Sequence, residues 1–466
     1  MTDREVLRST LQTKMEQLWN DVSIITDRET ADRVRWEAIQ ACHAWHRAVT
    51  PAYRERCERE GIGKRLERSQ LSAVALPEEI FKAYAQAELP NGEKLGAFCE
   101  RNVPLLIEKM SYYLSQPITM EGLQENYMSR TNIQGGLDRL RADLHAKQGV
   151  YLLTSSGTGG SAFALIPCGR ELLETTAKAN HRMFDLITYI PEYGPIDPKA
   201  GCLVGYAPRE GSMMMSFGLK LYADLYEERA FFAIPARVQS RELRWRAGAF
   251  AGTSGKVLQA LMKPLLKFGG KRTSAKGAEN FIAGLKEAEA LGLRTLVFAN
   301  PWMALNGLAR MEAVLAEEVA QGKKQAGEPL VTLAPGSVLL MAGGNKAGSD
   351  IPAETIVARF HRLIGGITKT LDAYGQSESL SGAIQCAEGN YHFDSHMEFF
   401  IVDGYLAYYD PRQFYRVPGL LTGDNVDAIY EEPCACGNPA RYFKHIARDN
   451  ANRGSKGCAA ALAEYA

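Results

Sequence analysis

The sequence predicts an α/β protein with a largely parallel, doubly wound sheet. From about Tyr151 onward, short β-branched or apolar runs alternate with amphipathic stretches, as in chains that build parallel sheets. The first hundred or so residues instead space their apolar positions by three and four, which predicts helices. The chain has 466 residues, of which 46% are hydrophobic, so a sizeable core can form.

The expected elements follow from these patterns in chain order. Helices are predicted over residues 5–19, 29–53 and 95–114, the last with a break near Pro104. Strands are predicted at residues 149–153, 202–206, 295–299 and 337–341, with helices over 279–291 and 308–320 between the last three. Residues 399–409 are expected to form a β-hairpin around Asp403-Gly404, because Asp-Gly favours tight hairpin turns.

Composition excludes several classes of protein. The 54 Lys and Arg residues balance 54 Asp and Glu residues, which argues against an electrostatic nucleic-acid binder. The first residues contain no apolar signal-peptide core, and no run approaches the length of a membrane-spanning helix, so a cytoplasmic protein is expected. Nine cysteines in such a chain favour reduced thiols, a metal site or a reactive thiol over a disulfide framework.

A glycine-rich loop follows the apolar run 150–153. It reads Thr154-Ser-Ser-Gly-Thr-Gly-Gly-Ser161. Glycines allow backbone N–H groups to face an anion, and the neighbouring hydroxyls add donors. The loop lacks the lysine of a Walker-type phosphate loop. From these residues alone, a phosphate site and a flexible surface loop both remain open.

Four motifs in order resemble the adenylate-forming superfamily of acyl-CoA synthetases and adenylation domains. The glycine-rich loop resembles its phosphate loop, although Gly159 replaces a common threonine and a downstream lysine is absent, as in the phenylacetate-CoA ligase-like branch. The strand at 337–341 leads to Gly343 and Gly344, which resemble the adenine-side loop. The other two motifs are Tyr374-Gly-Gln-Ser-Glu378 and Thr422-Gly-Asp424.

The resemblance implies a role for each matching residue. Tyr374 would pack near adenine beside Gly375, Ser377 would face phosphate, Glu378 would hold Mg²⁺, and Asp424 would accept hydrogen bonds from the ribose hydroxyls. A carboxylate oxygen suits Mg²⁺, which is usually bound alongside substrate phosphates. The phosphate-binding residues would be Thr154, Ser155, Ser156, Gly157, Thr158, Gly159 and Gly160.

A second group of residues has the chemistry of a zinc site. Cys386 and His392 form one pair, and Cys434 and Cys436 form another. Three thiolates and an imidazole favour structural Zn²⁺ over Mg²⁺ or Ca²⁺. The arrangement resembles a zinc site of some phenylacetate-CoA ligase-like proteins. His396 is the rival fourth ligand, and four unrelated residues are the alternative.

The C-terminal residues resemble a shortened version of the superfamily. Residues 446–450 resemble its hinge, so Arg448 is expected near the nucleotide, but the chain ends too soon for a full mobile domain. Residues 46–54 and 76–82, together with Lys456-Gly-Cys458, resemble the acyl-protein synthetases of bacterial luminescence (LuxE-type). Those proteins pass an acyl group to a cysteine near their C-terminus and then to a reductase. From composition alone, an idle surface thiol is the favoured interpretation of Cys458.

The resemblance predicts an adenylate-forming (ANL) core that activates a carboxylic acid, by resemblance a fatty acid, with ATP and transfers the acyl group to Cys458. The expected domains are a helical segment at 1–115, an adenylation core at 116–445 and a tail at 446–466. An acyl reductase or another acyl-acceptor protein would be the partner, by resemblance. The alternatives are a ligase that transfers the acyl group to coenzyme A or an amine, and a non-catalytic nucleotide- or acyl-binding protein.

Overall fold

The computed structural model describes residues 2–20, 27–96, 98–128, 135–154, 164–174, 176, 187–211, 214–238, 257, 275–342, 351–376, 378–379, 381–393 and 395–448. Its helices are α1 Asp3–Asn20, α2 Arg28–Val49, α3 Pro51–Arg59, α4 Leu71–Val74, α5 Ile80–Ala83, α6 Val103–Ser111, α7 Gly136–Gln148, α8 at residues 170–174, α9 Met214–Tyr226, α10 at residues 275–291, α11 Pro301–Ala320 and α12 Ala353–Leu363. Short 3₁₀ turns occupy Arg68–Gln70, Tyr84–Gln86, Cys99–Arg101 and Glu227–Arg229.

The strands are β1 Leu76–Pro77, β2 Tyr151–Thr154, β3 Leu165–Cys168, β4 Cys202–Gly211, β5 Ala230–Val238, β6 Thr295–Ala299, β7 Val331–Ala342, β8 Ile364–Gln376, β9 Ser381–Gln385, β10 Tyr391–Phe393, β11 Glu398–Val402, β12 Tyr405–Tyr409, β13 Gly419–Val426, β14 Tyr442–Phe443 and β15 Ile446–Arg448. The described residues divide into two compact units. The first comprises the residues up to Thr154, those from 164 to 176 and those from Glu378 onward; the second comprises residues 187–376.

Two helices of the first unit, α2 and α6, begin at residues whose side chains cap them. Asp27 caps α2 by accepting hydrogen bonds from the amides of Glu29 and Thr30. The single helix predicted over 29–53 is two helices, because the residue before a proline is disfavoured in helical conformation and Thr50 is extended before Pro51. The interruption predicted near Pro104 is confirmed: a short 3₁₀ turn ends at Arg101, and α6 begins at Val103 with Asn102 as its cap and Pro104 in its first turn.

A mixed sheet in the first unit has the strand order β1-β13-β12-β11, with β15 also paired to β13. Strand β1 is parallel to β13, and the other pairs are antiparallel. The predicted hairpin is confirmed as β11 and β12. Its two turn residues, Asp403 and Gly404, have φ angles of +52° and +82°, the left-handed conformation that a tight hairpin turn requires.

Two further antiparallel groups belong to the first unit. Strands β2 and β3 pair, with Thr154 opposite Leu165 and Tyr151 opposite Cys168. Strand β10 pairs with β9 on one side and with β14 on the other. Cys386 directly follows β9, and Cys436 lies shortly before β14. Because β10 pairs with both strands, the segments around these two cysteines come close together.

The second unit is built on parallel strands in the order β5-β4-β6-β7-β8. All five residues of β6 are buried, as expected of a parallel strand covered on both faces. The predicted strand 295–299 is confirmed to the residue, and those predicted at 202–206 and 337–341 lie inside the longer β4 and β7. The chain is therefore an α/β protein with a largely parallel sheet. The assignment to the adenylate-forming fold and the domain limits stay predictions.

Candidate functional site

Several residues of the predicted nucleotide site lie outside the described residues. They are Ser155, Ser156, Gly157, Thr158, Gly159, Gly160, Gly343, Gly344, Ser377 and Cys458. Thr154 is described and ends β2, where it is buried. Tyr374 and Gly375 lie in the second unit, near the carboxyl end of β8. Ligands of α/β proteins bind at the carboxyl ends of parallel strands, so this position is compatible with the predicted role.

Asp424 and Arg448 are brought together in the first unit. They are α-carbon partners across the antiparallel pair β13–β15. Asp424 is buried, with 3% of its surface exposed, and its amide donates to the Thr422 hydroxyl oxygen at 3.2 Å. The same hydroxyl donates to the Leu406 carbonyl at 2.6 Å. Two residues that the resemblance assigns to the nucleotide are thus neighbours, although 24 positions separate them in the sequence.

Glu378, the predicted Mg²⁺ ligand, is held by a buried arginine. The Nη2 group of Arg416 donates to the Glu378 carbonyl, and its Nε donates to the side-chain carbonyl of Gln413 at 3.0 Å. Arg416 is 1% exposed. A buried guanidinium loses stabilisation when its donors are unsatisfied, so the hydrogen bond to the Glu378 carbonyl favours a fixed backbone at that residue. A carboxylate such as that of Glu378 offers the hard oxygen atoms that Mg²⁺ prefers.

Sequence reasoning did not identify Arg416. Its guanidinium carbon lies 5.0 Å from the centroid of the Phe81 ring, in a cation–π contact. Its Nη1 and the hydroxyl of Tyr408 are buried without a hydrogen-bond partner among the described residues. Burial raises the pKa of Tyr408 well above its ordinary value, which keeps the phenol neutral. The one signal in the sequence was a charged residue inside the apolar run Phe414-Tyr-Arg-Val417.

A fully buried ion pair lies beside Gln413. The carboxylate of Asp410 accepts two hydrogen bonds from the Arg412 guanidinium, at 2.8 and 3.1 Å, and one from Gln413 at 2.7 Å. Both charged side chains are 0% exposed. The bidentate geometry and the additional donor satisfy the carboxylate, which is the condition under which a buried pair is tolerated.

The four predicted zinc ligands form one cluster in the first unit. The ligand atoms of Cys386, His392, Cys434 and Cys436 all lie within 4.8 Å of one another. The sulfurs of Cys386 and Cys434 are 3.8 Å apart, and Cys436 Sγ is 3.3 Å from His392 Nε2. Tetrahedral zinc with bonds of about 2.3 Å would separate two sulfurs by about 3.8 Å, whereas a disulfide would hold them at about 2.0 Å.

Two tight turns present these ligands. At Cys386 the amide donates to the Asn390 carbonyl, and Gly389, with φ +76°, donates back to the Cys386 carbonyl. At Cys434 the carbonyl accepts from Gly437, which has φ +82°. The positive φ angles explain the glycine in each turn. Further donors face the sulfurs: Asn390 Nδ2 lies 3.3 Å from Cys434, and the Asn438 amide lies 3.4 Å from Cys436.

The protonation states of His392 and Cys434 suit metal ligands, whereas the raised pKa of Cys436 favours its neutral thiol. Burial lowers the pKa of His392, so the imidazole is neutral at pH 7, and its Nδ1 lies 3.0 Å from the Ala440 carbonyl. That carbonyl can only accept, so Nδ1 carries the proton and Nε2 is free to bind a metal. Burial opposes ionisation of Cys434, but hydrogen bonds, that of Asn390 first, outweigh it and lower its pKa. Burial raises the pKa of Cys436.

The structure also separates the two candidate histidines. His392 lies on β10 and clusters with the three cysteines, whereas the His396 ring packs against Trp19 at an interplanar angle of 37°, with ring centroids 4.3 Å apart. His392 is therefore the fourth member of the cluster. The donor set, its spacing and its hydrogen bonds fit a four-coordinate structural zinc site, which has no open position for a substrate.

Comparison with known proteins adds no family assignment. No protein-family model matches the chain, and no curated protein matches it at a significant level. Among the helices of the described residues, none is both long enough and apolar enough to cross a membrane.

Proposed function

We propose that the protein is an adenylate-forming ligase that activates a carboxylic acid and transfers the acyl group to its own Cys458. In the first step a carboxylate oxygen of the acid attacks the α-phosphorus of ATP, and the bond to pyrophosphate breaks. In the second step the Cys458 thiolate attacks the carbonyl carbon, and AMP leaves. The product is an acyl thioester, which remains reactive toward an acceptor such as an acyl reductase.

The observation that carries this proposal is the register of Asp424 with Arg448. A ribose-binding carboxylate and an arginine that contacts the nucleotide must act on the same molecule, so a fold in which they were distant would oppose the proposal. Their pairing across β13 and β15 provides the required proximity. Asp424 would accept hydrogen bonds from the ribose hydroxyls, and the buried surroundings would strengthen those bonds.

The remaining roles follow the residue chemistry. Glu378 would hold Mg²⁺, which neutralises charge on the phosphates when bound. Arg416 would keep the backbone of Glu378 fixed through its hydrogen bond. Tyr374 would pack against adenine, and the loop that begins at Thr154 would bind the phosphates. Positioning and charge stabilisation are the main sources of rate enhancement in such a reaction.

We further propose that the cysteine–histidine cluster binds one structural Zn²⁺. It would cross-link the turn at Cys386 to the turn at Cys434, 48 residues apart in the sequence. Its support is the sulfur–sulfur distance of 3.8 Å, which suits two ligands of one metal.

Acid-dependent exchange of labelled pyrophosphate into ATP tests the proposed first step. The proposal predicts exchange with at least one class of acid, and loss of exchange in Glu378→Gln. Exchange without any covalent acyl-protein would favour a ligase that uses coenzyme A or an amine. No exchange with aliphatic or aromatic acids, together with retained ATP binding, would favour a non-catalytic binding protein.

A further inference from the structure

Arg412 and Arg416 are both buried in the first unit, but their charges are balanced differently. The Arg412 guanidinium forms an ion pair with Asp410, at 2.8 Å. Arg416 is 1% exposed, yet it forms no ion pair with any residue that the structure describes. Burial of a charge is costly unless the charge is paired, so Arg416 has the chemistry of a residue whose counter-ion is a ligand.

The contacts of Arg416 are all to neutral groups. Its Nε donates to Gln413 Oε1 at 3.0 Å, its Nη2 donates to the Glu378 carbonyl, and its guanidinium carbon lies 5.0 Å from the centroid of the Phe81 ring. Its Nη1 is buried and has no acceptor within the described part of the chain. Because the planar guanidinium is held at its other two nitrogens, the direction of the Nη1 donors is fixed.

Tyr408 provides a second buried donor in the same region. It lies on β12, is 2% exposed, and its hydroxyl has no hydrogen-bond partner among the residues described. Burial raises the pKa of Tyr408 well above its ordinary value, the positive charge of Arg416 opposes this rise, and the carboxylates of Glu378, Asp410 and Glu78 add to it. The phenol therefore stays protonated and can donate.

We propose that Arg416 Nη1 and the Tyr408 hydroxyl donate together to the β- and γ-phosphates of ATP, which supply the counter-charge of Arg416. Arginine suits phosphate because its donors match the phosphate oxygens. The phosphates are favoured over a carboxylate because Arg416 also holds the backbone of Glu378, the proposed Mg²⁺ ligand, and Mg²⁺ is usually bound alongside substrate phosphates.

The identity of this anion rests on the proposed function, whereas the presence of an anion site at Arg416 does not. In the proposed reaction the β- and γ-phosphates leave as pyrophosphate. Fixed donors at this position would stabilise the negative charge that develops on the leaving group.

Tyr408 and its neighbour Tyr409 form a matched pair for the test. Both are buried, but the Tyr409 hydroxyl lies 3.0 Å from the Tyr53 hydroxyl, whereas that of Tyr408 has no partner in the described residues. A buried donor without an acceptor lowers stability, so its removal is not expected to destabilise the protein. A donor to a ligand and a structural donor therefore differ in the effect of their removal.

Titration calorimetry with pyrophosphate in the presence of Mg²⁺, together with thermal unfolding, distinguishes these roles. Tyr408→Phe should bind pyrophosphate about tenfold or more weakly and, without ligand, unfold at the wild-type temperature or above it. Tyr409→Phe should unfold at a lower temperature and retain wild-type affinity. Unchanged affinity in Tyr408→Phe would overturn the proposal. A lower unfolding temperature of Tyr408→Phe without ligand would also overturn it, because the hydroxyl would then already have a partner such as a buried water.

Two further measurements identify the donor and the anion. Arg416→Lys keeps the charge but loses the planar set of donors, so pyrophosphate affinity should fall about tenfold or more. Wild-type affinity in Arg416→Lys would contradict the role of Nη1. Acetate replaces pyrophosphate in a second titration. A loss of acetate binding in Tyr408→Phe with unchanged pyrophosphate binding would assign the site to a carboxylate and overturn the phosphate assignment.

The anion site and the proposed function fail in different ways. Pyrophosphate binding that depends on Tyr408, without acid-dependent exchange of pyrophosphate into ATP, would refute the ligase and retain the anion site. Wild-type exchange and wild-type pyrophosphate affinity in Tyr408→Phe would retain the ligase and refute the anion site.

Discussion

Asp424 and Arg448 are directly opposed on the antiparallel strands β13 and β15, although the motifs to which they belong are separate in the sequence. The pair lies in the same sheet as the confirmed hairpin of β11 and β12. Asp424 is buried and its amide donates a hydrogen bond to the Thr422 hydroxyl, so binding of a ligand there would require little reorganisation of this backbone.

Replacement of Asp424 tests the role assigned to this carboxylate. A hydrogen bond to a charged group contributes about 1.5–3 kcal/mol, so Asp424→Asn should weaken ATP binding about tenfold to a hundredfold. Calorimetric titration with MgATP measures the change. Asp403→Asn is the matched control, because Asp403 occupies the hairpin turn in a conformation that asparagine adopts readily. Wild-type affinity in Asp424→Asn would remove Asp424 from the site.

Metal content tests the cysteine–histidine cluster. The purified protein should carry one zinc per chain, and Cys434→Ser should lose it and unfold at a lower temperature, because two turns are no longer cross-linked. Metal analysis and thermal unfolding give the two readouts. Cys99→Ser is the control, since Cys99 is buried but lies outside the cluster. Metal-free wild-type protein with the same thermal stability as the zinc-supplemented protein would contradict the zinc proposal.

Because His46 is buried, we expect the folded protein to become less stable in acid. Burial lowers its pKa from 6.5 to about 4, and its Nδ1 lies 2.8 Å from the Thr50 hydroxyl. Between these pKa values the unfolded chain binds the proton and the folded chain does not. The stabilisation is therefore complete above about pH 6.5 and is lost as the pH falls toward 4, by the order of 3 kcal/mol.

Denaturant unfolding at pH 7.5 and pH 5, with zinc held constant, measures this effect. In His46→Gln the part of the pH dependence that arises from His46 should disappear. His361→Gln is the control, because His361 is exposed and lies outside the buried network. The same pH dependence in wild type and His46→Gln would show that another group is responsible.

Because Asp410 and Arg412 form a buried ion pair, we expect their substitutions to have strongly non-additive effects on the free energy of unfolding. Asp410→Asn leaves the Arg412 charge uncompensated and should destabilise the protein by about 3–5 kcal/mol. Arg412→Met should also destabilise it, whereas the double variant should lose much less than the sum of the two. A double-mutant cycle by denaturant unfolding provides the measurement. Additive losses would mean that the two charges do not stabilise each other.

The part of the fold that the sequence predicted well depends on local patterns. The buried strand 295–299 and the Asp403-Gly404 hairpin follow from apolar runs and turn chemistry, which neighbouring residues determine. The helix predicted over 29–53 failed at Pro51, where the restriction on the residue before proline outweighed the apolar periodicity.

Only part of the candidate site could be predicted from the sequence. The four members of the cysteine–histidine cluster could be predicted because two closely spaced Cys/His pairs are typical of zinc sites. The choice of His392 over His396 required the structure, because it depends on the pairing of β10 with β9 and β14. Arg416 was missed, because tertiary contacts between distant segments create its surroundings.

Intact mass spectrometry after incubation with MgATP and alkyl acids tests the proposed function most directly. Wild-type protein should gain the mass of one acyl group, hydroxylamine should remove it, and Cys458→Ser should not acquire it. Wild type and Cys458→Ser should release pyrophosphate alike in the first turnover. Release of pyrophosphate without an adduct on the wild type, or an equal adduct on Cys458→Ser, would contradict self-acylation at Cys458.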